Sequence, residues 1–181
     1  MPLDLLIYPS TMQTHRLVLI RHAKAESFAS ADVERVLSPG GRDDARALGE
    51  WLSGQGVAPD HALVSFAART RETWAQVAHG AGWELEPSYD GTLYGTDEIG
   101  LLDLLREVPA DAATVVVIGH NPTMEIAAQL LDDGEGTATG SVSLGSFPTA
   151  TAAVFTLAEP WSEISEMAGR LDAFHVARAE H

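Results

Sequence analysis

Two short runs, LVLI at 17–20 and TVVVIG at 114–119, are apolar almost without interruption and stop at charged or polar residues. A strand with one wet face alternates apolar and polar side chains, whereas a strand covered on both faces does not. These runs therefore demand cover on two sides, and the rest of the chain offers it. RDDARALGEWLSG sets Ala45, Leu48 and Leu52 at helical spacing, with Asp43 and Asp44 in the first turn and Gly54 and Gly56 closing it. HALVS at 61–65 reads as a second strand, followed by a helix in TRETWAQVAHGAG that ends at Gly80 and Gly82. WELEP at 83–87 reads as a brief third strand, and DEIGLLDLLREV at 97–108 as an amphipathic helix. After TVVVIG, Asn121 is expected to cap a helix with Pro122 at its first position. TAAVFTL at 151–157 and LDAFHV at 171–176 supply the last strands, SPGG at 38–41 has turn chemistry, and DDGEGTATG is a flexible acidic loop. Strands alternating with helices predict an α/β fold: a single-domain three-layer α/β/α sandwich, its central sheet largely parallel with helices on both faces. Residues 15–181 are expected to form that domain, with 1–14 as a short N-terminal extension.

Charge narrows the function. The chain carries 26 acidic and 11 basic residues, a formal net charge of −15. That argues against nucleic acid as a partner, because phosphate backbones are held by lysine and arginine. An anionic small ligand would need a local positive pocket, so the placement of the few arginines matters. The absence of cysteine excludes disulfides, thiolate metal sites and cysteine nucleophiles, and fits a reducing cytoplasm. No apolar run approaches membrane-spanning length and no leader pattern opens the chain, so no membrane association is expected.

In open α/β sheets, ligands sit beyond the carboxyl ends of the strands. Three such ends carry unusual residues: Arg21 and His22; Ser65, with Arg69 four positions on; and Gly119, His120 and Asn121. If these strands are neighbours, two arginines and two histidines meet in one crevice. The free N–H groups of the helix after His120 face the same crevice. This is a cup for an oxyanion such as phosphate or sulfate, with arginine forks for its oxygens. One histidine can attack phosphorus through a neutral ring nitrogen while the other binds a phosphoryl oxygen. Lys24 can add charge at the rim, and Ser65 can touch phosphate or cap the strand end. An alcohol leaving group would need a nearby carboxylic acid, for which Glu26, Asp97 and Glu98 are candidates. His15, His61, His79, His175 and His181 show no convergent spacing, and Trp51, Trp74, Trp83 and Trp161 read as packing residues. The 132–136 loop lacks EF-hand spacing, and neither a Walker A nor a dinucleotide fingerprint is present.

The motifs resemble the histidine phosphatase superfamily, whose mark is an Arg-His pair after the first strand. RHAKAE, LSPGGRDDARALGEWL, SFAARTRET, LYGTDEIGLLDLL, VVVIGHNPTMEIAAQLL and FPTATAAVF together resemble its short SixA-type phosphohistidine phosphatases over residues 16 to 176. Arg21-His22-Ala23 stands where many members have Arg-His-Gly. The resemblance implies a phosphoglycerate mutase-like fold with no cofactor and no metal. It also implies that His22 becomes phosphorylated while Arg21, Arg69 and His120 bind the transferred group. Asn121 and Lys24, from their place at the strand ends, are read as further substrate contacts. The expected function is a phosphatase working through a phosphohistidine intermediate on a phosphorylated protein, most directly its phosphohistidine. The alternatives are a broad-specificity phosphatase of small phosphoesters and a catalytically silent phosphate-binding regulatory module.

Overall fold

The computed structural model describes residues 13–143 and 145–180. Most of the expected extension, residues 1–12, lies outside the described residues. The element order is β1 (His15–Arg21), α1 (Pro39–Gly54), β2 (His61–Ser65), α2 (Ala68–Ala81), β3 (Ser88–Asp90), α3 (Glu98–Arg106), β4 (Thr114–Gly119), α4 (Thr123–Leu131), β5 (Thr151–Leu157) and β6 (Gly169–Val176). They build one six-stranded sheet in the order β3-β2-β4-β1-β5-β6. The pairs β2–β3, β2–β4 and β1–β4 are parallel, while β5 runs against both β1 and β6. The sheet is therefore mixed, with a single reversed strand in an otherwise co-directional set.

The uninterrupted apolar runs behave as their composition requires. Leu17 and Leu19 of β1 join Leu101 and Leu105 of α3 and Ala127 and Leu131 of α4 in one core. Val18 and Ile20 point the other way, into a core shared with Leu48 and Leu52 of α1 and Trp74 and Val77 of α2. Val115 and Val117 of β4 face the first core, and Val116 and Ile118 the second. Full burial of each such side chain stabilises by roughly 1.5–3 kcal/mol, so the central strands are anchored from both sides. This three-layer arrangement is the one expected from sequence.

Four local expectations are corrected. SPGG is not a turn before α1 but its start. Ser38 is the N-cap, its hydroxyl accepting from Gly41 N at 3.1 Å, with Pro39 in the first turn. The helix thus begins before Asp43 and Asp44. Gly41 is required there because a Cβ would lie 2.1 Å from the Lys24 carbonyl. The third strand is Ser88–Asp90 rather than 83–87. Trp83 and Leu85 pack on the second core and Trp83 Nε1 donates to Val57 O at 3.2 Å, while Pro87 has no N–H for a ladder. Finally, Pro122 rather than Asn121 occupies the N-cap of α4, and no side-chain hydrogen bond caps that helix. β6 also starts earlier than expected, at Gly169.

Candidate active site

Sheet order decides whether the three strand ends meet. β2, β4 and β1 are consecutive neighbours, and their register levels the ends: Arg21 pairs with Gly119, and Ile118 with both Ile20 and Val64. His22 follows Arg21 and is pinned by its own N–H donating to Gly119 O at 3.1 Å. His120 follows Gly119. The two imidazoles consequently face each other with ring centroids 5.4 Å apart.

His22 is buried. Its Nδ1 lies 2.7 Å from the Ala23 carbonyl. A carbonyl only accepts, so Nδ1 carries the proton and Nε2 keeps its lone pair. Burial, opposed by the Ala23 hydrogen bond but reinforced by His120, Arg69 and Arg21, depresses the His22 pKa to about 3. The ring is therefore neutral at physiological pH, with a defined tautomer. Ala23 N donates in turn to Thr73 Oγ1 at 3.0 Å, and that hydroxyl donates to Arg69 O at 2.6 Å. Thr73 thereby ties the loop after β1 to the first turn of α2.

His120 Nε2 lies 2.8 Å from Ser65 Oγ, a hydroxyl that is wholly buried. Burial first, then the Arg69 charge, lowers the His120 pKa to about 4, with Asp32 opposing. Ser65 thus holds a histidine, a contact that separates it from both roles considered for it in the sequence. Arg69 is the second residue of α2 and is buried. Its guanidinium donates to Asp32 O at 2.9 Å and to Asp32 Oδ2 at 3.2 Å. Arg21 Nη1 donates to Phe147 O at 3.1 Å, and Asn121 Nδ2 donates to the same carbonyl at 2.9 Å and to Glu125 Oε2 at 3.4 Å. Among the described residues, Arg21 Nε, Arg69 Nε and His120 Nδ1 are buried with no hydrogen-bond partner. An unpaired buried polar group costs about 1–3 kcal/mol, a cost that phosphoryl oxygens held between the imidazoles would relieve.

Among the described residues, none of the other sequence candidates hydrogen-bonds to the side chains of His22, His120, Arg21 or Arg69, although Asn121 shares the Phe147 carbonyl with Arg21. Lys24 is exposed, and its carbonyl accepts from Ser38 N at 2.9 Å. Glu26 is exposed on the loop after β1. The Asp97 carboxylate caps α3 by accepting from Gly100 N at 2.9 Å, and Glu98 lies in that helix's first turn. Asn121 has both amide hydrogens engaged within the protein. Among the described residues, no group of three or more His, Cys, Asp or Glu is arranged to hold a metal ion.

The structure adds residues the sequence did not single out. Asp32 accepts from Arg69, from Arg35 Nε at 2.9 Å and from the Tyr94 hydroxyl at 2.6 Å. The first-named donors, Tyr94 and then Arg35, hold its carboxyl down at about 2, against the small effect of burial. Tyr94 stands perpendicular to His120, ring centroids 5.5 Å apart, with the Arg69 guanidinium 5.8 Å from its ring centre. Glu125 is buried and accepts from Asn121 and from Gly145 N, joining α4 to the loop that carries Phe147. Only Thr73 left a usable signal, four positions after Arg69 on one helix face.

Comparison with known proteins agrees with this geometry. The family model "Histidine phosphatase superfamily (branch 1)" matches residues 17–97. A SixA structure from Nakamurella multipartitia superimposes with a TM-score of 0.79 at 33% identity, covering 91% of this chain and 96% of that one. An uncharacterized protein of Mycobacterium tuberculosis is 33% identical over 88% of this chain and its own full length. The phosphohistidine phosphatase SixA of Escherichia coli is 27% identical over 66% of this chain and 76% of its own length. The chain belongs to the histidine phosphatase superfamily, SixA type, and is a hydrolase acting on phosphate esters.

Proposed function

We propose that this phosphatase removes the phosphoryl group from phosphohistidine in a protein, passing it through its own His22. The observation that carries the reading is the neutral His22 ring. Its Nε2 lone pair is free, and His120 stands 5.4 Å away across the crevice. Nε2 attacks phosphorus in line, forming an N–P bond as the bond to the leaving group breaks. Arg21 and Arg69 neutralise the equatorial oxygens, and His120 hydrogen-bonds to one of them. Water then cleaves the enzyme's phosphohistidine to inorganic phosphate. The mouth suits a polypeptide: Phe28 is 91% exposed and Phe66 42% exposed on loops at the carboxyl end of the sheet. Likeness to the E. coli phosphohistidine phosphatase SixA supports the same substrate class.

The test is turnover in EDTA of a histidine-phosphorylated carrier protein against a panel of small phosphoesters, with the labelled enzyme trapped by alkaline SDS quench. Label on wild type but not on His22→Ala, with the phosphoprotein preferred, is the expected result. Preference for one small phosphoester by kcat/KM would replace the protein substrate with that metabolite class. Full turnover by His22→Ala would overturn the nucleophile.

A further inference from the structure

We propose that Asp32 is the leaving-group contact that selects P–N over P–O bonds, accepting the ring N–H of a departing imidazole. The inference rests on the phosphohistidine reading above and names the residue that enforces it.

His22 forms the buried side of the crevice. In-line attack from Nε2 expels the leaving group on the far side of phosphorus, toward the mouth. Asp32 lies at that mouth: its side chain is 54% exposed, whereas the side chain of its partner Arg69 is 7% exposed. Tyr94 fixes it over the second imidazole, bonding Asp32 through its hydroxyl while its ring stands edge-on to His120. The electrostatics agree with this order in depth. His120 feels the Asp32 charge, while the charges that perturb His22 are those of His120, Arg69 and Arg21.

An ionised carboxylate offers about four lone-pair sites and no proton. Asp32 uses Oδ1 for Arg35 and Oδ2 for Arg69 and Tyr94. It therefore retains acceptor capacity on its exposed side. Its pKa of about 2 leaves it fully ionised at neutral pH, so it accepts a hydrogen bond but cannot act as a general acid.

These properties fit one leaving group better than another. A phosphorylated imidazole protonated on its second nitrogen already carries the proton it needs. As His22 Nε2 forms its bond to phosphorus, the electron pair of the breaking P–N bond returns to the first nitrogen. A neutral imidazole departs, still holding its N–H against Asp32. Before departure that ring is a cation, and an opposite charge within ~4–6 Å favours the protonated form by about one to three pKa units. An alkoxide needs a proton delivered to oxygen, and Asp32 has none to give.

The experiment compares kcat/KM for N-phosphorylimidazole with that for p-nitrophenyl phosphate, in wild type and in Asp32→Asn. The expected result is a drop of about tenfold or more in the imidazole-to-ester ratio, since loss of the carboxylate removes about one or more units of imidazolium stabilisation. Asp32→Glu, which keeps a carboxylate, is expected to hold the ratio near wild type. An unchanged ratio in Asp32→Asn overturns the proposal, including the case in which both substrates speed up because Asp32 merely competes with phosphate for Arg69. A second measurement needs no variant. Plotted against leaving-group pKa, wild-type rates for phosphorylimidazole should lie above the line set by aryl phosphates, and a point on that line overturns the proposal equally. If wild type turns over p-nitrophenyl phosphate but not phosphorylimidazole, the phosphohistidine reading itself fails. If it turns over both and only the ratio test fails, that reading stands and Asp32 loses its role.

Discussion

The crevice has a base and a rim, and they are built differently. His22 and His120 at the base are the first residues past two paired strands, so the β1–β4 ladder sets their separation. Arg69 and Ser65 come from the next strand and the helix that follows it. At the rim, Asp32 belongs to a single 3-10 turn in the loop after β1, Tyr94 to another before α3, and Phe147 to the loop before β5. Base residues are held by the sheet and two cores. At the rim, Asp32 and Tyr94 are held by each other's side chains and by Arg69, while Phe147 is buried in the first core and meets the site only through its carbonyl. The base should therefore be intolerant of change and hold the chemistry, while the rim can vary and hold selectivity.

The sharpest way to break that contrast is His22→Ala. If the base holds the chemistry, activity on every phosphorylated substrate falls on the order of 10⁴-fold or more, the scale on which loss of a nucleophile falls. Steady-state rates with p-nitrophenyl phosphate check this, and a loss of tenfold or less would move the nucleophile elsewhere. Arg69→Ala comes next, with a loss of at least ~10² in kcat as for removal of one transition-state donor. Arg69→Lys tests geometry against charge: it keeps the cation but not the fork, and near-wild-type activity would show that charge alone suffices.

Ser65→Ala probes the boundary between base and rim. Ser65 touches His120 rather than the site's other three residues, so it is a positioning residue. A loss of roughly tenfold is expected, about the worth of one hydrogen bond of 0.5–1.5 kcal/mol at the upper end. The loss should fall on kcat rather than KM, and Ser65→Thr, which keeps the hydroxyl, should recover much of it. An equal drop in thermal stability and activity, unrescued by threonine, would reduce Ser65 to a packing residue.

The same division explains what the sequence could disclose. The base was legible because its signals are local: an apolar run names a two-sided strand, and RH, SFAAR and GHN sit at the ends of such runs. Neighbouring strands in a parallel sheet then bring those ends together. The rim was not legible, because each contact joins residues remote in sequence. Asp32 meets Arg69 and Tyr94, and Arg21 meets Phe147, and nothing in ADVERVL or LYGT alone dictates those pairings. The misplaced third strand has the same origin, since tertiary packing of Trp83 and Leu85 overrides the alternation of WELEP. By contrast, Ser38-Pro39 is a local helix-start signal, and the two glycines after it obscured that signal.

The remaining expected effect is on stability, and it separates the buried histidines of the base from the exposed Asp32 of the rim by pH alone. His22 and His120 have folded pKa values of about 3 and about 4, against 6.5 for an ordinary imidazole. Between those limits the unfolded chain binds more protons than the folded one, so stability rises with pH across that window. It is fully present above about 6.5 and is lost as pH falls through about 4 and then about 3. Asp32 at the rim, depressed from 3.8 to about 2, adds the same sign of dependence only below pH 4. Urea midpoints should thus decline from pH 7 to pH 4 in wild type. His22→Ala should decline less steeply over this range whatever its absolute stability, because one buried imidazole no longer resists protonation. Asp32→Asn should keep the wild-type slope there. Parallel slopes for wild type and His22→Ala would mean that His22 protonates freely in the folded protein, and the neutral nucleophile would go with it.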